Sequence, residues 1–272
     1  MTEHVTGITQ FVNNYLGQFA LALLSWLHIT PENPETPIPE HVVMAFVVLL
    51  LGTILALFLR SRLSVEKPGA TQQVAELLLT NPLGFGIKDL LEENVHHGAL
   101  KLIPFVGSIS VFVLFSNLLG VIPSFASPTG QVSVPLACAI LTFLYFNWQG
   151  VRHHGLGGYL KHFAGPVRWL SPLIFPVEII STSARVLSLT VRLWANIVAS
   201  DLVYSIFLGL FTSVAVAAWA KSPALGVMAS ILPATIPVLF LGILHVFVSI
   251  IQAYVFTVLP AVYLGMATAD EH

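Results

Sequence analysis

The chain has 272 residues, 56% hydrophobic and 9% charged, with a formal net charge of −2. Soluble domains carry roughly 25% charged residues, so this composition excludes disorder and argues against a soluble enzyme, and the lack of a basic excess argues against nucleic acid as a partner. Several apolar runs reach the roughly 20 residues a helix needs to cross a bilayer, and no run alternates like a barrel strand. The fold class is therefore all-α and polytopic, a single integral membrane domain over residues 1–272.

The N-terminal MTEHVTGITQ lacks the positive region of a cleavable signal peptide and is kept in the mature chain. Residues 8–29 are apolar but interrupted by Asn13, Asn14 and Gln18; they read as an interfacial helix, with a membrane crossing as the alternative. The proline-rich PENPETPIPE that follows is an extended linker, so residues 1–41 form an external segment.

Val42 to Leu59 is the first clear span and ends at Arg60, Arg62 and Lys67. By the positive-inside rule that end is cytoplasmic and the N-terminus lies outside. Residues 71–97 carry Glu76, Lys88, Asp89, Glu92 and Glu93 among apolar positions; they predict a cytoplasmic pair of surface helices broken near Asn81-Pro82. Leu102 to Val121 crosses outward, Pro123 to Gln131 is a short outer loop, and Val132 to Trp148 crosses back. Its one cysteine, Cys138, falls in this last run and reads as a small buried residue. The loop expected from Arg152 to Arg168 carries Arg152, Lys161 and Arg168, so a second basic segment agrees on the orientation.

The region 172–272 is different. Pro172 to Ala220 and Pro223 to about Ala267 each exceed forty residues, about 60 to 70 Å as continuous helix and roughly twice the hydrocarbon thickness. They must bend or tilt steeply around some other object. The break at Lys221-Ser222-Pro223 makes them an antiparallel hairpin, giving about five transmembrane helices in all.

Polar residues cluster in that hairpin. The first helix holds Glu178, Arg185, Arg192, Asn196 and Asp201, and the second holds His245, Ser249 and Gln252. An Arg or Asp at mid-membrane costs about 2.5 to 3.5 kcal/mol, so function is its default reading and a structural ion pair the alternative. Glu178, Arg185 and Arg192 follow one another by seven and form a single stripe, with Asn196 close to it. Asp201 falls about 180° round from Arg192, so the two cannot pair within the helix. A hairpin turning at Ser222 sets Arg192 level with Gln252, and Asn196 and Asp201 on either side of His245. A permanent cation between two proton-accessible regions blocks direct flow and favours ionisation of a carboxylate brought beside it. The pattern is that of two offset half-channels with an arginine gate. The carrier carboxylate is missing and must come from a partner.

RLWAN at 192–196, an acid five residues after the Asn, His and Gln seven apart, FSNLLGVIPSF at 115–125, PVEIISTSARVLSLTVRLWAN at 176–196 and the ending YLGMATADEH together resemble subunit a of the F-type ATP synthase membrane sector. The resemblance covers most of the chain. It implies that Arg192 is the essential arginine facing the carboxylate of a rotating c-ring. Asn196, Asp201, His245, Ser249 and Gln252 would line or border the outer half-channel, and Glu178 with Arg185 the cytoplasmic one. It also implies b-type peripheral stalk subunits and lipid as partners, an indirect link to the F1 sector, no cofactor or metal, a bacterial inner membrane and a cytoplasmic C-terminus. The subunit would translocate protons without binding nucleotide; no GxxxxGK[ST] phosphate loop occurs. The commoner motif has Phe-Gly where Trp194-Ala195 stands, and many members have Glu at the position of Asp201. Proton and sodium coupling both stay open, since the selecting ligands would belong mostly to the ring.

Two other classes compete. A secondary transporter or other ion-conducting subunit could use buried Arg and Asp for substrate, but no inverted repeat is evident and the spans are few. A haem or metal protein could use His96-His97 or His153-His154, yet adjacent residues do not share a helical face and a solvated role fits both pairs better. His28, His41 and His162 read as interfacial or exposed, and Asn117 as a polar tie between helices or a channel residue.

Overall fold

The computed structural model describes residues 6–31, 33–64, 68–80, 86–95, 98–122, 125–164, 169–236, 239 and 242–268. Among these the chain is all-helical: α1 (Gly7–Trp26), α2 (Glu40–Ser61), α3 (Ala70–Leu79), α4 (Ile87–Asn94), α5 (Ala99–Leu119), α6 (Ser133–Ala164), α7 (Ser171–Lys221), α8 (Pro223–Ile236) and α9 (Gly242–Thr268), with a 3-10 turn at Pro128–Gly130 between α5 and α6. Five of them, α2, α5, α6, α7 and α9, are long and apolar enough to cross a membrane. His96-His97, Asn81-Pro82, Lys67, Arg168 and the four C-terminal residues lie outside the described residues, as does the side chain of His162.

The polar residues of α1 have a packing reason. Asn13 is buried on the face that meets the returning linker, where its amide nitrogen donates to the Ile38 carbonyl (3.1 Å) and its side-chain oxygen accepts from the Ile38 N–H (2.9 Å). The opposite face exposes Phe11, Tyr15, Phe19 and Trp26. A mirror arrangement holds the far end of α2: Gln72 of α3 accepts from the Ser64 N–H (2.8 Å) and donates to the Ser64 carbonyl (3.1 Å). A side-chain amide matches a peptide group donor for acceptor, so each pair satisfies backbone that no helix would.

α5, α6 and α9 form the core. Leu102, Val106, Phe146, Ala261 and Leu264 are buried together with Leu91 and Val95 from the α4 end. At Gly265 the helix meets the main-chain carbonyl of Asn94 closely enough that no Cβ would fit. A second cluster joins α7 to the bundle through Leu189, Leu193, Val113, Cys138, Ala139 and Phe256. Cys138 is buried there, as its setting predicts.

One expectation is corrected. The stretch from Arg152 to Ala164 is not a loop: α6 runs to Ala164 and is broken at Gly155, whose φ of 71° and ψ of 162° suit a residue without Cβ. The chain turns back there, laying the Tyr159 ring on Gly150 while its hydroxyl donates to the Asn147 side-chain oxygen (2.9 Å). The second arm of the hairpin is helical on both sides of residues 237–241, as α8 up to Ile236 and α9 from Gly242. α7 is continuous over 51 residues, about 75 Å at the helical rise. α8 returns along it, with the Trp219 indole lying on Gly226 and donating to Ser230 (3.1 Å).

Candidate functional site

α7 touches the bundle along one narrow seam. Leu189, Leu193 and Ile197, four apart, are almost fully buried, and only six of its 51 residues are buried in all. At about 100° per residue this seam lies between the directions of Arg192 and Asp201. Arg192 and Asn196 therefore occupy one flank and Asp201 the other, and all three side chains are exposed. The helical angle read from the sequence thus corresponds to two surfaces divided by packed aliphatic side chains.

The hairpin register matches the one expected from its turn. Gln252, buried on α9, donates from Nε2 to the main-chain carbonyl of Arg192 at 2.9 Å. The contact is to backbone and does not engage the guanidinium. The guanidinium makes no ion pair among the described residues, and Arg192 is exposed. Trp194 and Ala195, beside it, are partly buried.

At the end of the bundle that carries the 3-10 turn, His245 is 7% exposed and held on both ring nitrogens. Nε2 lies 3.1 Å from the main-chain carbonyl of Asn117, and Nδ1 lies 2.9 Å from Ser200 Oγ. Ser249 donates to the His245 carbonyl (2.7 Å). Asp201 lies within electrostatic reach of the imidazole, yet its neighbour Ser200 makes the hydrogen bond. Asn117 is fully buried and accepts from the Thr129 hydroxyl (2.6 Å), while Ser127 donates to the Ser116 carbonyl (2.9 Å). Ser116 Oγ and Asn117 Nδ2 are buried without a hydrogen-bond partner among the described residues.

At the opposite end Arg185 and Glu178 form an ion pair at 3.7 Å, joining residues two turns apart as their common stripe requires. The Arg185 guanidinium also lies over the Tyr263 ring of α9, 5.0 Å from its centroid. Thr182 donates to the Glu178 carbonyl (2.7 Å).

Of the residues singled out from the sequence, Arg192 and Gln252 meet through the backbone, His245 and Ser249 share one cluster, and Glu178 meets Arg185. Asn196 makes no side-chain hydrogen bond with the others among the described residues. Sequence reasoning missed Ser200, Ser116, Ser127 and Thr129, and left Asn117 between two readings. Hydroxyl residues are common in apolar helices, and α5 and α9 lie too far apart in sequence for periodicity to align them. His153 and His154 lie edge to face with ring centroids 4.7 Å apart, and no three His, Cys, Asp or Glu side chains converge in a metal-binding group among the described residues.

With this geometry in hand, comparison with known proteins is specific. The family model described as ATP synthase A chain matches residues 41–265. "ATP synthase subunit a" of Koribacter versatilis is 39% identical over 99% of both chains. The protein of that name from Solibacter usitatus is 39% identical over 96% of this chain and 99% of its own. The one from Nitratidesulfovibrio vulgaris is 37% identical over 86% and 88%. A match of this extent to an all-helical, multi-pass chain leaves one assignment: the chain belongs to the ATP synthase subunit a family.

Proposed function

We propose that this chain is the stator subunit of the proton-translocating F0 sector, in which two offset half-channels and Arg192 couple proton flow to rotation of a c-ring. The observation that carries this reading is the setting of Arg192: an exposed guanidinium in the middle of a helix otherwise fit for lipid, with its backbone gripped from behind by Gln252. A permanent cation so placed calls for an anionic partner outside the chain. A carboxylate on each c subunit meets that need. The long, sparsely covered α7, with α8 beside it, supplies a face for the ring.

In this reading the N-terminus is outside a bacterial inner membrane and the 3-10 turn faces outward. A proton enters past Asp201, Asn196 and the cluster at His245, Ser249 and Gln252, and neutralises a ring carboxylate. The unpartnered Ser116 Oγ and Asn117 Nδ2 are polar groups that an incoming water would pair with. The neutral carboxylate can face lipid as the ring turns. On return it meets Arg192, whose charge favours ionisation, and the proton leaves toward Glu178 and Arg185 on the cytoplasmic side. Each elementary charge moved across 100 mV supplies about 2.3 kcal/mol, so several protons are needed per ATP. The chain itself performs no phosphoryl chemistry; peripheral stalk subunits would hold it against the torque passed to F1.

The test is Arg192→Ala in the assembled complex in vesicles. Coupled ATP synthesis should be lost and passive proton leak should rise. A variant that keeps wild-type synthesis and wild-type leak refutes the gate. Running ATP-driven pumping with and without sodium distinguishes the coupling ion.

A further inference from the structure

We infer that Ser200 is a positioning residue for proton transfer: its hydroxyl holds His245 in one neutral tautomer and makes Nδ1 the nitrogen that gains and loses the proton. This deepens, and rests on, the reading of His245 as part of the outer proton path.

The Asn117 carbonyl 3.1 Å from Nε2 can only accept, so Nε2 carries a hydrogen in the neutral ring and in the charged one. Nδ1 is the nitrogen left to titrate, and it faces Ser200 Oγ at 2.9 Å. In the neutral ring the hydroxyl donates to Nδ1. When water delivers a proton to Nδ1, the new N–H donates to Ser200 Oγ, whose own hydrogen rotates to another acceptor. The same proton leaves Nδ1 when the next station takes it, and the hydroxyl turns back. A hydroxyl suits both states because it donates and accepts.

Three other hydroxyls of α7 show that this orientation is a choice. Thr182, Thr190 and Ser205 each donate to the carbonyl four residues earlier, at 2.7 to 2.8 Å. That is the usual way a hydroxyl is satisfied in an apolar helix. Ser200 instead reaches a ring 45 residues away in sequence. It immediately precedes Asp201, the carboxylate proposed to feed the ring, which lies within electrostatic reach of the imidazole. The titratable group of α7 within electrostatic reach of the ring, among the described residues, is Asp201. α5 presents Asn117 and Gly120 to the imidazole, the 3-10 turn contributes no charged residue, and Ser249 is its neighbour on α9; none of these titrates.

The experiment measures ATP synthesis by the purified, assembled complex in liposomes while the pH on the side bearing the 3-10 turn is varied. Ser200→Ala should lower the maximal rate about fivefold to tenfold and displace that pH profile by about half a unit to one unit, the effect of one hydrogen bond to an ionising group. Ser200→Thr, which keeps the hydroxyl, should restore both. An alanine variant with the wild-type profile, or a threonine variant as impaired as alanine, overturns the inference. If the alanine complex does not assemble, Ser200→Val against Ser200→Thr makes the same comparison at matched shape. Arg192→Ala, assayed alongside, separates the two levels. Coupled synthesis surviving there sinks the proposed function itself, whereas its loss with an unmoved Ser200→Ala profile sinks only the role of Ser200.

Discussion

Gln252 holds Arg192 by its backbone: the amide of α9 donates to the Arg192 carbonyl at 2.9 Å, and the guanidinium is left on the outer face of α7. Two demands that conflict in one residue are thereby divided. The main chain is fixed in depth and azimuth, while the charged end keeps the freedom to meet a moving partner. Gln252→Leu should preserve the bulk but remove this second bond to the carbonyl, which keeps its helical one, a loss of about 0.5 to 1.5 kcal/mol. Proton-driven ATP synthesis should fall several-fold with little change in the amount of complex assembled. Equal synthesis per assembled complex would show that the tie does not position the arginine.

Asp201 stands across the packed seam from Arg192 and is exposed; in the proposed mechanism its carboxylate accepts protons arriving from outside. Asp201→Asn keeps shape and hydrogen bonding but removes the titrating group. The expected result is slowed turnover at every outer pH, by about tenfold or more on the scale of a lost general acid or base. Asp201→Glu should keep most of the rate. Unchanged proton-driven turnover in the asparagine variant across pH counts against the outer path running through this residue.

Much of this arrangement was legible in the sequence because membranes penalise charge so heavily. A lone Arg in an apolar run announces itself, and a single turn at Ser222 sets the register that brings Gln252 to Arg192. What stayed hidden is uncharged. Asn117 is separated from His245 by 128 positions, and their contact runs through a backbone carbonyl that no residue type encodes. Ser200 looks like any helical serine until its rotamer is seen. Asn13 reads as a polar interruption, yet it is an adaptor for the linker backbone at Ile38. The helix that resumes after Gly155 was also hidden, since the glycines and basic residues from Arg152 onward read as a loop.

Gly265 makes a structural prediction apart from the proton path. A Cβ there would strike the carbonyl of Asn94, a backbone atom at the end of α4 that no rotamer change can move aside. Gly265→Ala should separate α4 from α9 at a cost of about 1 to 3 kcal/mol, the range for overpacking. Detergent-solubilised complex should lose this subunit at a lower temperature than wild type. Coincident melting of the two would mean that α4 shifts freely.

Asn13 offers the last test, at the other end of the chain. Besides its two bonds to Ile38, its amide nitrogen lies 2.9 Å from the Thr9 carbonyl, and Gly17, one turn on, sets its backbone against Pro37. These contacts are the described means by which α1 grips the linker leading to α2. Asn13→Ala removes the side chain that completes the Ile38 peptide and leaves its N–H and carbonyl to find water. One or two hydrogen bonds of this kind are worth about 1 to 3 kcal/mol together. Because the linker is irregular backbone, the effect should stay local. Amide exchange at Ile38 should quicken about tenfold or more, while α5 and α9 keep their protection. Asn13→Asp, which still accepts from the Ile38 N–H but cannot donate, should fall between the two. If exchange at Ile38 is the same in all three proteins, α1 is held by its apolar face and not by the amide.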